Sequence, residues 1–338
     1  LEYYQQALPL FQAVGDRAGE ASTLNSIGAV YHALGEKQQA LEYYQQALPL
    51  RRAVGDRTGE AVTLFNIAYA ESNRGNLQPA LTQMQASIDI IEELRTKIAS
   101  PELRQAYFAT VQDYYQFYID LLMQLHQQNP DQGYDKLAFH ISERSRARTL
   151  LELLTEANAN IREGVDPDLL QQEQTLNAKL DATEKQRIEI YSNPASTPAQ
   201  KTAIEQQRQQ LLEDYQKLQD QIRATSPQYA ALKYPQPLTL EQVQQQILDE
   251  DTILLQYSLG EENSYLWAVT KDGFTSYQLP ARDEIETFAR RFYNLLQIPG
   301  YEIGNPRGIA KVVPRDNLNS VAQLSELLFG QVAEQLTK

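Results

Sequence analysis

Few residues in this sequence could do covalent chemistry. It has 338 residues, no cysteine and three histidines, His32, His126 and His140. Without cysteine there can be no thiolate nucleophile, thiolate metal site or disulfide framework. His126 and His140 lack metal-ligand spacing with each other or with acids, so neither a metal nor another cofactor is expected. The cations Arg144, Arg146 and Arg148 read as an ion-paired or solvated helix face, and Trp267 reads as core. What remains suits binding. Asparagines can bond an extended backbone, and Phe65 and Tyr69, four apart, are neighbours on one helix face.

The elements that carry these residues are repeated. Leu1–Glu20 reads LEYYQQALPLFQAVGDRAGE and Leu41–Glu60 reads LEYYQQALPLRRAVGDRTGE, so 17 of 20 positions match at an offset of 40. A fixed internal period marks a stack of similar units. One unit runs from Ala21 to Glu60. Its first helix, STLNSIGAVYHAL, places Leu24, Ile27, Gly28 and Tyr31 at helical spacing, and Gly35 stops it. Its second helix, KQQALEYYQQALPLRRAV, aligns Ala40, Tyr44 and Ala47, and Gly55-Asp56 breaks the chain. Neither helix can bury its apolar face alone, so stacked neighbours make the core.

Leu24, Ile27, Gly28, Tyr31, Ala40, Tyr44 and Ala47 resemble the framework of a tetratricopeptide repeat. The period of 40 exceeds the usual ~34 of that family, the excess lying in AVGDRTGE. The unit from Ala61 keeps Leu64, Ile67 and Ala80 with Met84, but has Glu71 for the tyrosine and Ser87 for the last alanine, so it reads as degenerate. Leu1 falls within a second helix and no initiator Met is present, which predicts further repeats upstream. The resemblance implies an inner groove lined by first-helix residues. Here these are Ser22, Asn25, Ser26, Ala29, His32, Ala33, Val62, Phe65, Asn66, Tyr69, Ser72 and Asn73. Asn25, His32, Phe65, Asn66, Tyr69 and Asn73 are the implied contacts to a protein or peptide partner. None of the twelve is Lys or Arg, which disfavours a clamp for a terminal carboxylate.

The formal net charge is −14, which argues against nucleic acid or anionic membrane as partner. No apolar run approaches the ~18 residues of a membrane span, and no signal peptide is visible, so a cytoplasmic protein is expected. The oligomeric state is left open by the sequence.

Further along, a second helix over 77–98 ends at Ser100-Pro101. Residues 100–160 read as another helical pair closing the array. Its first member carries an apolar stripe of Tyr107, Val111, Tyr114, Tyr115, Tyr118, Leu122 and Leu125. Residues 161–226 read as two long helices joined by SNPASTP. Ile204, Leu211, Tyr215, Leu218 and Ile222 make a heptad seam, matched by Leu169, Leu176, Leu180, Thr183 and Ile190. The pair is polar elsewhere, so the expectation is an antiparallel coiled-coil hairpin that projects from the body as a spacer or a docking arm, the spacer being preferred. From 238 to 338 the period changes. TILLQYSL, SYLWAVT and FTSYQL, separated by turn residues, read as a three-stranded antiparallel meander followed by helices from Arg282 and from Leu318. The fold class expected is mainly α: a tetratricopeptide α-solenoid over 1–99, the hairpin, then a small α+β segment.

ERSRARTLLELL at Glu143–Leu154 and DEDTILLQYSLGEENSYLWAVTKDG resemble, respectively, the joining segment and the opening of a CHAT domain, a caspase-like domain found behind tetratricopeptide repeats. That resemblance implies a following half with a catalytic histidine and cysteine. All three histidines here precede the strands and no cysteine exists, so no catalytic residue is assigned. The expected role is a protein-binding scaffold or sensor that regulates a protease half. The alternative is a pure interaction protein whose caspase-like half is not catalytic.

Overall fold

The computed structural model describes residues 1–97, 101–156, 165–193, 196–227, 229, 237–296 and 323–333. The chain divides into two units, Leu1–Pro237 and Leu238–Lys338. The first is helical, with α1 Glu2–Val14, α2 Arg17–Ala33, α3 Lys37–Ala53, α4 Arg57–Ser72, α5 Leu77–Lys97, α6 Pro101–Gln128, α7 Tyr134–Glu156, α8 Pro167–Ser192 and α9 Pro198–Thr225. The second holds α10 Leu240–Gln246, β1 Leu254–Ser258, β2 Ser264–Val269, β3 Phe274–Leu279 and α11 Arg282–Leu296. The loop and much of the last helix expected after Gly300 lie outside the described residues, as do the side chains of Tyr107, Val111, Arg148, Leu150, Leu151 and Leu154.

The helix punctuation follows from two residue types, glycine and aspartate. Gly15, Gly35, Gly55 and Gly75 have positive φ of 73, 82, 67 and 83°, and they recur every 20 residues, once per helix. After Gly55, the Asp56 side chain accepts a 2.8 Å hydrogen bond from the Gly59 amide and caps α4; Asp16 caps α2 at 2.9 Å in the same way. These caps start the first helices at Arg17 and Arg57, earlier than apolar periodicity alone places them.

Stacking fills the repeat core. Ala40, Leu41, Tyr44, Ile67 and Ala70 form one buried cluster, with Tyr31 and Leu48 packed on it. The Tyr44 ring lies so close to Gly28 that a Cβ there would be 2.6 Å from it. Burying each large apolar side chain contributes about 1.5–3 kcal/mol. Burial also pushes the Tyr44 phenol up to about 12, because the phenolate cannot be hydrated there. In the degenerate repeat, Ser87 is fully buried but donates to the Ala61 carbonyl at 2.8 Å, so its hydroxyl is satisfied.

The α8–α9 hairpin forms with the expected seam: Leu180, Thr183, Ile204, Tyr215, Leu218 and Ile222 are buried. Its base is apolar, with Val165, Leu218, Ile222 and Tyr229 clustered. There Tyr229 donates to the buried Glu173 carboxylate at 2.9 Å. The hairpin does not project, however. Arg187, with its side chain 2% exposed, donates two hydrogen bonds to the Gly55 carbonyl at 2.8 and 3.0 Å. The Tyr191 ring lies against the same glycine. Arg208 pairs with Glu93 of α5, which also pairs with Arg57 at 2.6 Å. Glu184 and Glu205 of the hairpin face Arg187 at 3.6 and 3.1 Å. Surface polarity suggested a free arm, but part of that polarity is a charged interface with the repeats.

In the second unit the strands run β1-β2-β3, antiparallel throughout, with Trp267 opposite Gln256 and Ser276. Every residue of β2 is buried, so the central strand is covered on both faces. Leu266, Ala268, Leu279, Ile285 and Val332 form one core cluster, with Ile285 supplied by α11. Gln244 of α10 donates to the carbonyls of Thr270 and Gly273 at 2.9 and 3.1 Å, tying that helix to the β2–β3 turn.

Candidate protein-binding groove

The proposed contacts stand on α2 and α4 because the framework residues of those helices point into the core and leave one face free. The structure brings them together across the two helices. Asn66 donates from Nδ2 to Asn25 Oδ1 at 3.1 Å, and Thr63 donates to the same oxygen at 3.3 Å. One step along the helices, Asn73 Nδ2 lies 3.1 Å from His32 Nε2. Lys37 donates to the Asn73 carbonyl at 2.7 Å. Burial, and then the Lys37 charge, hold the His32 imidazole below its ordinary value. A neutral ring can accept from the Asn73 amide.

The aromatic pair divides in role. Tyr69 is 41% exposed. Its ring centroid lies 5.1 Å from His32 and 5.3 Å from Phe117 of α6. Phe65 is half-buried and stacks on Tyr114 of α6, centroids 3.9 Å apart and planes at 8°. It also meets Phe117 edge-on at 5.5 Å. Phe65 is thus held within an inter-repeat aromatic stack, while Tyr69 presents its ring outward. Tyr114 is raised to about 12, first by burial and then by the Asp113 charge.

The sequence placed Tyr114 on an apolar stripe and gave Phe117 no role. Both extend the α2–α4 row onto α6. Their signal was available: α6 follows α4 in the stack as its next first helix, and 114 and 117 share the face that meets Phe65.

No group of histidine, aspartate or glutamate residues among those described could hold a metal ion. His126 lies 3.6 Å from Asp135, and Arg144 pairs with Glu92 at 3.4 Å. These are contacts of helix packing rather than a catalytic constellation. Among the described residues no helix is long and apolar enough to cross a membrane.

Residues 1–53 match the family model described as tetratricopeptide repeat. No curated protein matches the chain. Residues 1–53 are therefore similar to tetratricopeptide repeats, which generally bind protein partners.

Proposed function

We propose that this chain is the protein-binding region of a larger cytoplasmic protein. An extended segment of a partner lies along the α2–α4–α6 face. The backbone of that segment is bonded by the amides of Asn25, Asn66 and Asn73, and one of its side chains packs on Tyr69. The observation that carries this reading is Tyr69 itself, a large ring 41% exposed in a row of paired amides. An aromatic side chain left open beside polar groups has the composition of an interface centre. The resemblance of the strand segment to the opening of a CHAT domain supports the second half of the proposal, that binding regulates a caspase-like protease half.

A photo-crosslinking residue placed at Tyr69, and separately at the exposed Gln46 of α3, tests the groove. In its native cells the variant at Tyr69 should capture one recurring segment, and the variant at Gln46 should not. Tyr69→Ala should abolish binding of that segment with melting unchanged. Phe65→Ala should instead destabilise the repeats by about 3 kcal/mol, as for a buried aromatic. Capture from Gln46 alone would move the site off this face. The protease half is checked on the longer polypeptide: a histidine and a cysteine placed together there, with peptide hydrolysis that responds to the captured segment, is the expected result. A polypeptide without that pair is a binding protein only.

A further inference from the structure

We propose that the bound segment is proline-rich and lies in the groove as a polyproline II helix, with a proline ring packed on Tyr69. This rests on the groove reading above and adds the conformation and composition of the partner. The bonds already made between α2 and α4 decide what the groove has left to offer. Asn25 accepts from Asn66 at its Oδ1, so the Asn25 Nδ2 hydrogens remain for a partner carbonyl, and the Asn66 Oδ1 remains for a partner N–H. Asn73 directs its Nδ2 to His32 Nε2, so the Asn73 Oδ1 remains in the same way. His32 is held below its ordinary value, first by burial and then by the Lys37 charge. Neutral, and accepting at Nε2, it carries its proton on Nδ1 as a donor. Each rung therefore has a donor on α2 and an acceptor on α4.

The spacing of the rungs selects the backbone that fits both. Asn25 and His32 are 7 residues apart, as are Asn66 and Asn73. Seven helical residues rise about 10.5 Å and return to the same face. A bound chain must therefore present its carbonyl and N–H in the same directions after about that distance. A β-strand repeats its directions every two residues, at about 6.6 or 13.2 Å. Polyproline II repeats them every three, at about 9.3 Å, which is the nearest match. It also has no internal hydrogen bonds, so its backbone groups are open to the groove. An α-helix has spent those groups on itself. Tyr69 stands between the rungs, three residues after Asn66 and four before Asn73, and is 41% exposed. An aromatic plate flanked by backbone-bonding groups is the usual seat of a proline-rich segment. The residues that donate to Asn66 and Asn73 are then three apart and cannot be proline, whereas the two between them can be. A residue that precedes proline is itself held near the extended conformation required. None of the twelve inner positions of α2 and α4 is Lys or Arg, so these positions ask for no acidic partner, and a proline-rich segment brings none.

Fluorescent ten-residue peptides test this on the whole chain. One repeats Ser-Pro-Pro, a second Ser-Ala-Ala and a third, which favours strands, Ser-Thr-Val. A fourth is all proline, which keeps the polyproline II helix and the rings but removes every N–H between its ends. The Ser-Pro-Pro peptide should bind about tenfold more tightly than the Ser-Ala-Ala peptide, because its conformation is set before binding. The Ser-Thr-Val peptide should bind no better than Ser-Ala-Ala, and the all-proline peptide should be weaker than Ser-Pro-Pro for want of donors to Asn66 and Asn73. Tyr69→Ala should weaken the Ser-Pro-Pro peptide most and leave melting unchanged. Ser-Ala-Ala or Ser-Thr-Val binding as tightly as Ser-Pro-Pro, and weakened by Tyr69→Ala, overturns the proline-rich partner and leaves the groove standing. All-proline binding as tightly as Ser-Pro-Pro overturns the two-rung match on which the proposal rests. No binding of Ser-Pro-Pro also overturns the proposal, and capture from Tyr69 by the photo-crosslinking residue then decides the groove separately. A preference for Ser-Pro-Pro that Tyr69→Ala does not change places the site off this face and overturns both.

Discussion

At the residue scale, neighbours decide what each groove side chain can do. Phe65 and Tyr69 are the same kind of residue one helical turn apart. One is sandwiched against Tyr114 and the other is open. In the sequence the two rings share one role, because the difference depends on Tyr114 and Phe117, 45 or more positions away, and shows only once α6 is placed beside α4. His32 carries a further consequence. Its pKa is lowered by burial and by Lys37, so the unfolded chain holds the proton more tightly than the folded one. Stability is then fully present above the unfolded value, about 6.5, and is lost as pH falls through the lower folded value. Unfolding followed between pH 7.5 and 5 should show a loss that His32→Gln removes. An unchanged slope in that variant would mean that other groups titrate with the fold.

At the scale of elements, the helices were largely readable and their docking was not. The heptad spacing of α8 and α9 announced a hairpin, since a seam of Ile204, Tyr215, Leu218 and Ile222 can be buried only against a second helix. Its seat on the repeats is made by Arg187 and the Gly55 carbonyl, 132 residues apart. No periodicity records such a contact. The guanidinium is almost fully buried, so it depends on its carbonyl and carboxylate partners for solvation. The Arg208 guanidinium is held below its ordinary value, first by burial and then by the Arg57 charge. Arg187→Ala would leave Glu184 and Glu205 without that guanidinium. The cost is put at about 3–5 kcal/mol, the scale for a broken buried pair. Hydrogen exchange should quicken through the distal parts of α8 and α9 and stay slow at the Val165–Ile222–Tyr229 base. Uniform exchange along the hairpin would show that its halves open together.

At the scale of the molecule, the two units were announced by a change of period, from helical spacing to alternating strands, on either side of a proline-rich stretch. The repeats were the most legible part because the sequence states them almost twice. The joints repeat as faithfully as the helices do. Val14-Gly15-Asp16-Arg17 and Val54-Gly55-Asp56-Arg57 are identical, and each pairs a left-handed glycine with an aspartate cap. Excising residues 21–60 would join Glu20 to Ala61 in the register that Glu60 now holds. The Gly15 carbonyl would then come to stand where Arg187 now finds Gly55. The pair of Arg52 and Glu60 would be replaced by the existing bond of Gln12 to Glu20, 2.9 Å long. The shortened chain should melt cooperatively and keep its hairpin docked, as read by protection of the distal hairpin amides; a freed hairpin would show that Arg51 or Arg52 is needed at the joint. An array built this way is interchangeable at its seams. Unequal exchange between near-identical coding stretches could add or remove a whole unit, lengthening or shortening the surface offered to a partner while the clasp at its end fits every version.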